Sequence, residues 1–226
     1  MRKAVLHLKK SDPSMRAIIE RVGPCRMEFG DPTFHSLAEA IVYQQLNGKA
    51  AATIFKRFTA LTGDPVTPQG ILKLSAEQLR AVGLSKQKSS YLFDMAERAQ
   101  RGELDFSKLA DMNDDEVIEH LTQVKGVGVW TAHMFLMFTL RRTNVLPTGD
   151  FGIRMAMHKH YFDRALKNKN GAGKTKVKKK MTAKTPKVKI KLPAPEQMEK
   201  IAKRWEPYRS IACWYLWRSL DVKTIG

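Results

Sequence analysis

The chain has 226 residues, 43% of them hydrophobic, and 40 Lys and Arg against 22 Asp and Glu give it a formal net charge of +18. That length suits one large domain or two small lobes, no stretch approaches the roughly 18 apolar residues of a membrane span, and the first ten residues lack the apolar core of a secretion signal. Two cysteines, Cys25 and Cys213, exclude a disulfide scaffold and a four-thiolate cluster and suit a reducing interior, while the charge asks for a polyanion, either nucleic acid or an anionic membrane surface.

Ser11-Asp12-Pro13 starts a helix carrying Met15, Ile18, Ile19 and Val22, stopped by Gly23-Pro24. Leu37, Ile41 and Val42, then Ala50, Ile54, Phe55, Phe58 and Leu61, recur at helical spacing, with a break or bend at Asn47-Gly48 and an end at Gly63-Asp64-Pro65. Ser75-Ala76-Glu77-Gln78 has the capping-box pattern. Gly83-Leu84-Ser85 leads into a helix with Tyr91, Phe93, Met95 and Ala99, and Asn113 opens another with Val117, Ile118, Leu121 and Val124 on one face. Strongly apolar Trp130–Leu140, then 150–162 and 195–220, supply the last helices. Strand-like alternation is almost absent and no repeat is evident, so the expected fold class is all-α.

The charge is uneven. Residues 166–192 hold eleven Lys and no Asp or Glu, which leaves +7 on the rest of the chain. Apolar residues are scarce there, so a disordered insertion is expected. It serves either as a solubilising spacer or as a phosphate-binding arm; composition does not separate the two.

Val124-Lys125-Gly126-Val127-Gly128-Val129-Trp130-Thr131-Ala132 joins two helices. The glycines permit positive φ and a close turn, and the second helix begins with N–H groups and a dipole suited to a phosphate. An isolated Gly-x-Gly is more simply a tight helix–helix turn; the two well-patterned flanking helices and the basic chain favour the phosphate site. Asp150, before Phe151-Gly152-Ile153-Arg154, reads on pattern alone as a helix N-cap. The six His form no metal pattern, the Cys spacing excludes a zinc deaminase, and no phosphate loop of the Gly-x-x-x-x-Gly-Lys-Ser/Thr type occurs.

These pieces together resemble the helix-hairpin-helix DNA glycosylase superfamily, in its 3-methyladenine DNA glycosylase II, or alkylation-repair, branch. The hairpin, Val145-Leu146-Pro147-Thr148-Gly149-Asp150 after it, Ala40–Asn47 before it, and Leu192-Pro193, Ala202–Ala212 and Trp217 behind it match in order. The resemblance implies a two-lobed helical fold with the base held in the cleft. Its lobes are residues 34–148 and 149–226, residues 1–33 form a helix packing with the C-terminal lobe, and 166–192 is the insertion. It implies that Asp150 is catalytic. It places Trp130, Trp217, Met134 and Tyr43 at the base pocket, where core packing is the plainer reading of each Trp taken alone. It makes Gln45 or Leu46 the side chain that enters the DNA stack, against a buried Leu beside a capping Gln. It gives Lys125, Gly126, Val127, Gly128, Val129 and Thr131 the phosphate.

In strand-cutting relatives a Lys follows the Gly-x-Gly-x of the hairpin; here it is Trp130, which implies a monofunctional, water-using enzyme. Met134 and Arg218 stand where some relatives have aromatics, which bears on lesion range. No cofactor or catalytic metal is expected, apart from a structural monovalent cation on the Val124, Val127 and Val129 carbonyls. The expected partner is duplex DNA containing damaged bases, bound by a monomer associated with DNA in the cytoplasm or nucleoid and not with a membrane. The alternatives are a glycosylase for an oxidised or deaminated base and a non-catalytic helix-hairpin-helix DNA binder; a pure binder needs neither Asp150 nor Trp217.

Overall fold

The computed structural model describes residues 1–163 and 191–221. Among them all regular structure is helical: α1 (Arg2–Ser11), α2 (Pro13–Val22), α3 (Phe34–Tyr43), α4 (Gly48–Thr62), α5 (Pro68–Leu72), α6 (Ala76–Ala81), α7 (Lys86–Gln100), α8 (Asp114–Thr122), α9 (Val129–Phe138), α10 (Phe151–Met157), α11 (Pro195–Ala202) and α12 (Arg209–Asp221). No helix among them is long and apolar enough to cross a membrane. The Lys-rich insertion lies outside the described residues except for Lys191 and Leu192.

Local chemistry accounts for most helix starts. Asp12 caps α2 by accepting the Ser14 and Met15 N–H groups, and Gly23 closes that helix at φ 85°. Asn47 accepts the Ala50 N–H at 2.9 Å, so the Asn-Gly pair is a full break between α3 and α4. The capping box at Ser75 and Gln78 forms, and a second joins Asn113 and Glu116. Glu116 with Asp114 and Asp115 also puts three acids in the first turn of α8, complementing its dipole. The 150–162 helix is α10 followed by a π-helical turn, His158–Phe162, and the 195–220 helix is two, α11 and α12, with a tight turn between.

The chain forms two compact units: residues 1–27 with 146–226, and residues 28–145. The boundaries lie a few residues before those expected at 33 and 148, and the N-terminal helices share a unit with α10–α12. The continuous unit packs α3, α7, α8 and α9 around Leu37, Ile41, Leu92, Met95, Leu121 and Leu136, all of them fully buried. α9 is apolar on nearly every side, which suits a helix enclosed by its neighbours.

In the discontinuous unit, Leu8, Met15, Ile18, Trp205 and Tyr215 are among the largest fully buried side chains. Asp12, 1% exposed, is buried with them. Its Oδ1 accepts the two capping N–H groups, and its Oδ2 accepts the Tyr161 hydroxyl at 2.9 Å and the Trp205 indole N–H at 2.8 Å. A buried carboxylate is tolerated when its lone pairs are filled in this way. Burial and then the Asp12 charge push the Tyr161 phenol far above its ordinary value.

Candidate active site

The hairpin is built from α8, the turn 123–128 and α9. Val124 and Val127 anchor it in the core, at 2% and 4% exposed. Gly126 alone needs glycine's freedom: it sits at φ 80°, and a Cβ there would overlap the Tyr91 ring. Gly128 has extended backbone, φ −95°, and serves as the N-cap of α9, so the expectation of a left-handed turn applies to one glycine of the pair. Val129 and Trp130 open the helix, 53% and 49% exposed.

Val127 and Thr131, two of the expected phosphate contacts, are buried, and the Val127 N–H already donates to the Val124 carbonyl at 3.0 Å. Lys125 is engaged already. Its N–H donates to Asp94 Oδ2 at 2.9 Å, and its ammonium lies 3.5 Å from Asp94 Oδ1. Arg98 Nε donates to the same carboxylate at 3.1 Å. Burial raises the Asp94 carboxyl, but the Lys125 N–H and Arg98 outweigh it and hold it below the usual carboxylate range. No cluster of three His, Cys, Asp or Glu able to hold a metal ion exists among the described residues.

Beside the hairpin, within the same unit, is a cavity of about 620 Å³. Tyr43, Gln45, Leu46, Trp130, Thr131 and Met134 line it together with Gln44, Lys88, Tyr91 and Gly126. The unit thus brings together the expected pocket residues Tyr43, Trp130 and Met134 and both candidates for stack entry. Gln45 has φ 57°, and Leu46 is 40% exposed, against the reading of a buried Leu.

Four side chains that sequence reasoning missed hold these elements. Gln44 Nε2 donates to the Gly126 carbonyl at 2.9 Å. Lys88 Nζ donates to the Val42 and Gln44 carbonyls at 2.6 Å each, and burial lowers its ammonium from the ordinary lysine value. Tyr91 packs on Gly126, and Asp94 holds Lys125. Three of the four lie on α7, whose sequence shows only its apolar spacing.

Asp150 belongs to the discontinuous unit. Its N–H donates to the Pro147 carbonyl at 2.9 Å, closing the turn, and the residue is 8% exposed. Asp150 Oδ1 accepts the Ile153 N–H at 2.7 Å, the capping bond, and also the Trp217 indole N–H at 2.8 Å. Trp217, expected as a pocket wall, therefore orients the carboxylate. The ring lies so close that a Cβ on Gly152 would come within 2.9 Å of Trp217 Cδ1 and 3.2 Å of Asp150 Oδ1; this use of Gly152 has no sequence signal. Cys213 is fully buried, and burial, then the Asp150 charge, keeps its thiol protonated well above the usual range. Trp205 is fully buried and Trp214 nearly so, as core residues.

Known proteins match this chain in sequence and in fold. DNA-3-methyladenine glycosylase 1 of Schizosaccharomyces pombe is 33% identical over 224 residues, covering 96% of this chain and 86% of the relative. The DNA-3-methyladenine glycosylase of Saccharomyces cerevisiae is 33% identical over 237 residues, with 96% and 79% covered. The solved structure of the S. pombe 3-methyladenine DNA glycosylase in complex with abasic DNA matches at a TM-score of 0.74 and 31% identity, over 97% of each chain. Residues 38–187 match the HhH-GPD superfamily of base excision DNA repair proteins, and the chain belongs to that superfamily.

Proposed function

We propose that the chain is a monofunctional DNA glycosylase of base excision repair, a DNA-3-methyladenine glycosylase of type II. It removes alkylated bases of the 3-methyladenine and 7-methylguanine kind from duplex DNA. The observation that carries this reading is the Asp150 carboxylate, fixed on one oxygen by Ile153 and Trp217 in a chain of this superfamily.

The target base leaves the stack, and Gln45 or Leu46 takes its place. An alkylated purine is electron-poor and often cationic, so it stacks favourably on the Trp130 indole, worth about 1–2 kcal/mol when desolvated. Tyr43 and Met134 bound the same space. The C1′–N bond then breaks with its electron pair going to the base nitrogen, and positive charge builds on the sugar. Asp150 stabilises that charge and accepts a proton from the water whose oxygen bonds C1′. The proton passes to solvent, and a cationic base leaves as a neutral molecule. Trp130 offers no amine for a Schiff base, so there is no strand-cutting step.

Phosphate binding falls to the exposed Gly126, Gly128 and Val129 at the start of α9, with the Lys125 ammonium contributing charge. A monovalent cation would be held by the Val124, Val127 and Val129 carbonyls, each of which has a second lone pair to offer, and would supply positive charge for a phosphate. The protein works as a monomer associated with DNA in the cytoplasm or nucleoid.

The test is release of bases from methylated duplex DNA, with Asp150→Asn beside the wild type. Release by the wild type and a loss of at least a hundredfold in the variant are expected; no release, or equal release, overturns the reading. Borohydride treatment during turnover should trap no protein–DNA adduct, and a trapped adduct would disprove the monofunctional assignment.

A further inference from the structure

Gln45 occupies the left-handed region at φ 57°, which a non-glycine residue adopts only under constraint, and the exposed Leu46 follows it. The constraint is visible. α3 ends at Tyr43, and the Lys88 ammonium binds a carbonyl on each side of that end, Val42 and Gln44, at 2.6 Å. A cation at a helix C-terminus also meets the negative end of the dipole. Gln44, the residue just before the strained one, sends its amide across to the Gly126 carbonyl.

Lys88 itself is anchored on α7. Three residues on, Tyr91 fills the space beside Gly126, and after three more Asp94 holds the Lys125 N–H, braced by Arg98. Successive positions along one helix therefore grip the 44–46 turn at one end and the hairpin at the other.

We infer that Lys88 is a positioning residue for DNA penetration: by binding the Val42 and Gln44 carbonyls it sets Gln45 and Leu46 at the height, relative to the hairpin, from which one of them enters the base stack. This rests on the reading of the chain as a glycosylase that flips its target base. Lys88 lines the same cavity as Trp130, and in this role it acts through the turn that it holds. A lysine is suited to it because one ammonium donates to two converging carbonyls. Methionine matches its length and donates to neither.

The experiment uses the full chain and a duplex with a tetrahydrofuran abasic analogue beside 2-aminopurine, whose fluorescence rises when it loses its stacking neighbour. At saturating protein the wild type should raise the signal several-fold. Lys88→Met should lose at least half of that rise, and Lys88→Arg, which keeps two donors, should retain most of it. In a Gln45→Ala/Leu46→Ala background, where the rise is already small, Lys88→Met should remove nothing more, because the three residues act as one unit.

A full rise with Lys88→Met, an arginine variant no better than methionine, a further loss in the truncated background, or no rise with the wild type overturns the inference. If Lys88→Met does not fold, Lys88→Gln takes its place: a rise between wild type and truncated turn supports the inference, and a wild-type rise overturns it. The analogue carries no base, so the readout requires no bond cleavage. A wild type that opens this duplex yet releases no methylated base ends the glycosylase reading and leaves the role of Lys88 standing. Base release with fluorescence independent of Lys88 does the reverse.

Discussion

The Trp217 indole N–H and the Ile153 backbone N–H, from different helices, both donate to Asp150 Oδ1. The capping bond fixes where the carboxylate sits, and the indole fixes how it is turned. Trp217→Phe keeps a ring and deletes that donor. A hydrogen bond to a charged acceptor is worth about 1.5–3 kcal/mol. Single-turnover base release should therefore slow by about tenfold to a hundredfold, with abasic-DNA affinity changed less. Gly152→Ala, which forces the ring off its seat, should produce the same split, measured by single-turnover kinetics and equilibrium binding on the same preparations.

Gly126→Ala sets two faults at one position. The left-handed φ costs about 1–2 kcal/mol for a residue with a Cβ, and the new methyl meets the Tyr91 ring. At roughly 2–4 °C per kcal/mol for a chain of this size, the unfolding midpoint should fall by about 4 °C or more, and DNA affinity should fall with it. Adding Tyr91→Ala removes the overlap and leaves the φ strain. Calorimetry should show the double variant losing less than the sum of the two single changes.

Asp12→Asn tests the buried carboxylate of the discontinuous unit. The amide presents an NH₂ to one of two donor pairs, so the two capping N–H groups or the Tyr161 and Trp205 donors lose their acceptor. Stranding buried donors costs about 1–3 kcal/mol, a drop of about 2–12 °C in the midpoint. Trp205→Phe removes one donor only and should cost less unless its smaller ring leaves a cavity; a stability curve for each settles the order.

Asp94 predicts a pH dependence. Its carboxyl lies below the ordinary value in the folded chain, so folding favours the ionised form. That contribution is present above the unfolded carboxylate value of about 3.9 and is lost as pH falls through the lower folded value. Between about pH 5 and pH 2.5 the wild-type midpoint should fall more steeply than that of Asp94→Asn. Parallel curves would mean that the Lys125 and Arg98 contacts contribute nothing to folding.

Helix caps and apolar spacing were legible in the sequence because they are local: Asp12, Asn47, Ser75 and Asn113 announce themselves within four residues. α1 was not, since Ala4 and Leu8, its buried positions, are scattered among Lys, Arg and His. Asp150, Trp130 and the hairpin were found through a pattern spread over the chain. Lys88, Gln44, Asp94 and Gly152 were missed because their partners lie far away in sequence or, for Gly152, because the neighbour is a ring from another helix. One lysine among 40 basic residues carries no mark of burial until the fold places two carbonyls before it.

The Asp12–Tyr161–Trp205 cluster bears on how the chain comes to be folded. Residues 28–145 are contiguous and contain their own core, so this unit has everything it needs once its own stretch has been made. The other unit waits: Asp12 leaves the ribosome early, and its indole partner lies 193 residues later. Until then Asp12 has only its local capping bonds, and α1 and α2 lack the helices that cover them. The two units thus have a fixed order of birth, with residues 28–145 complete before the unit bearing Asp150 and Trp217 can close.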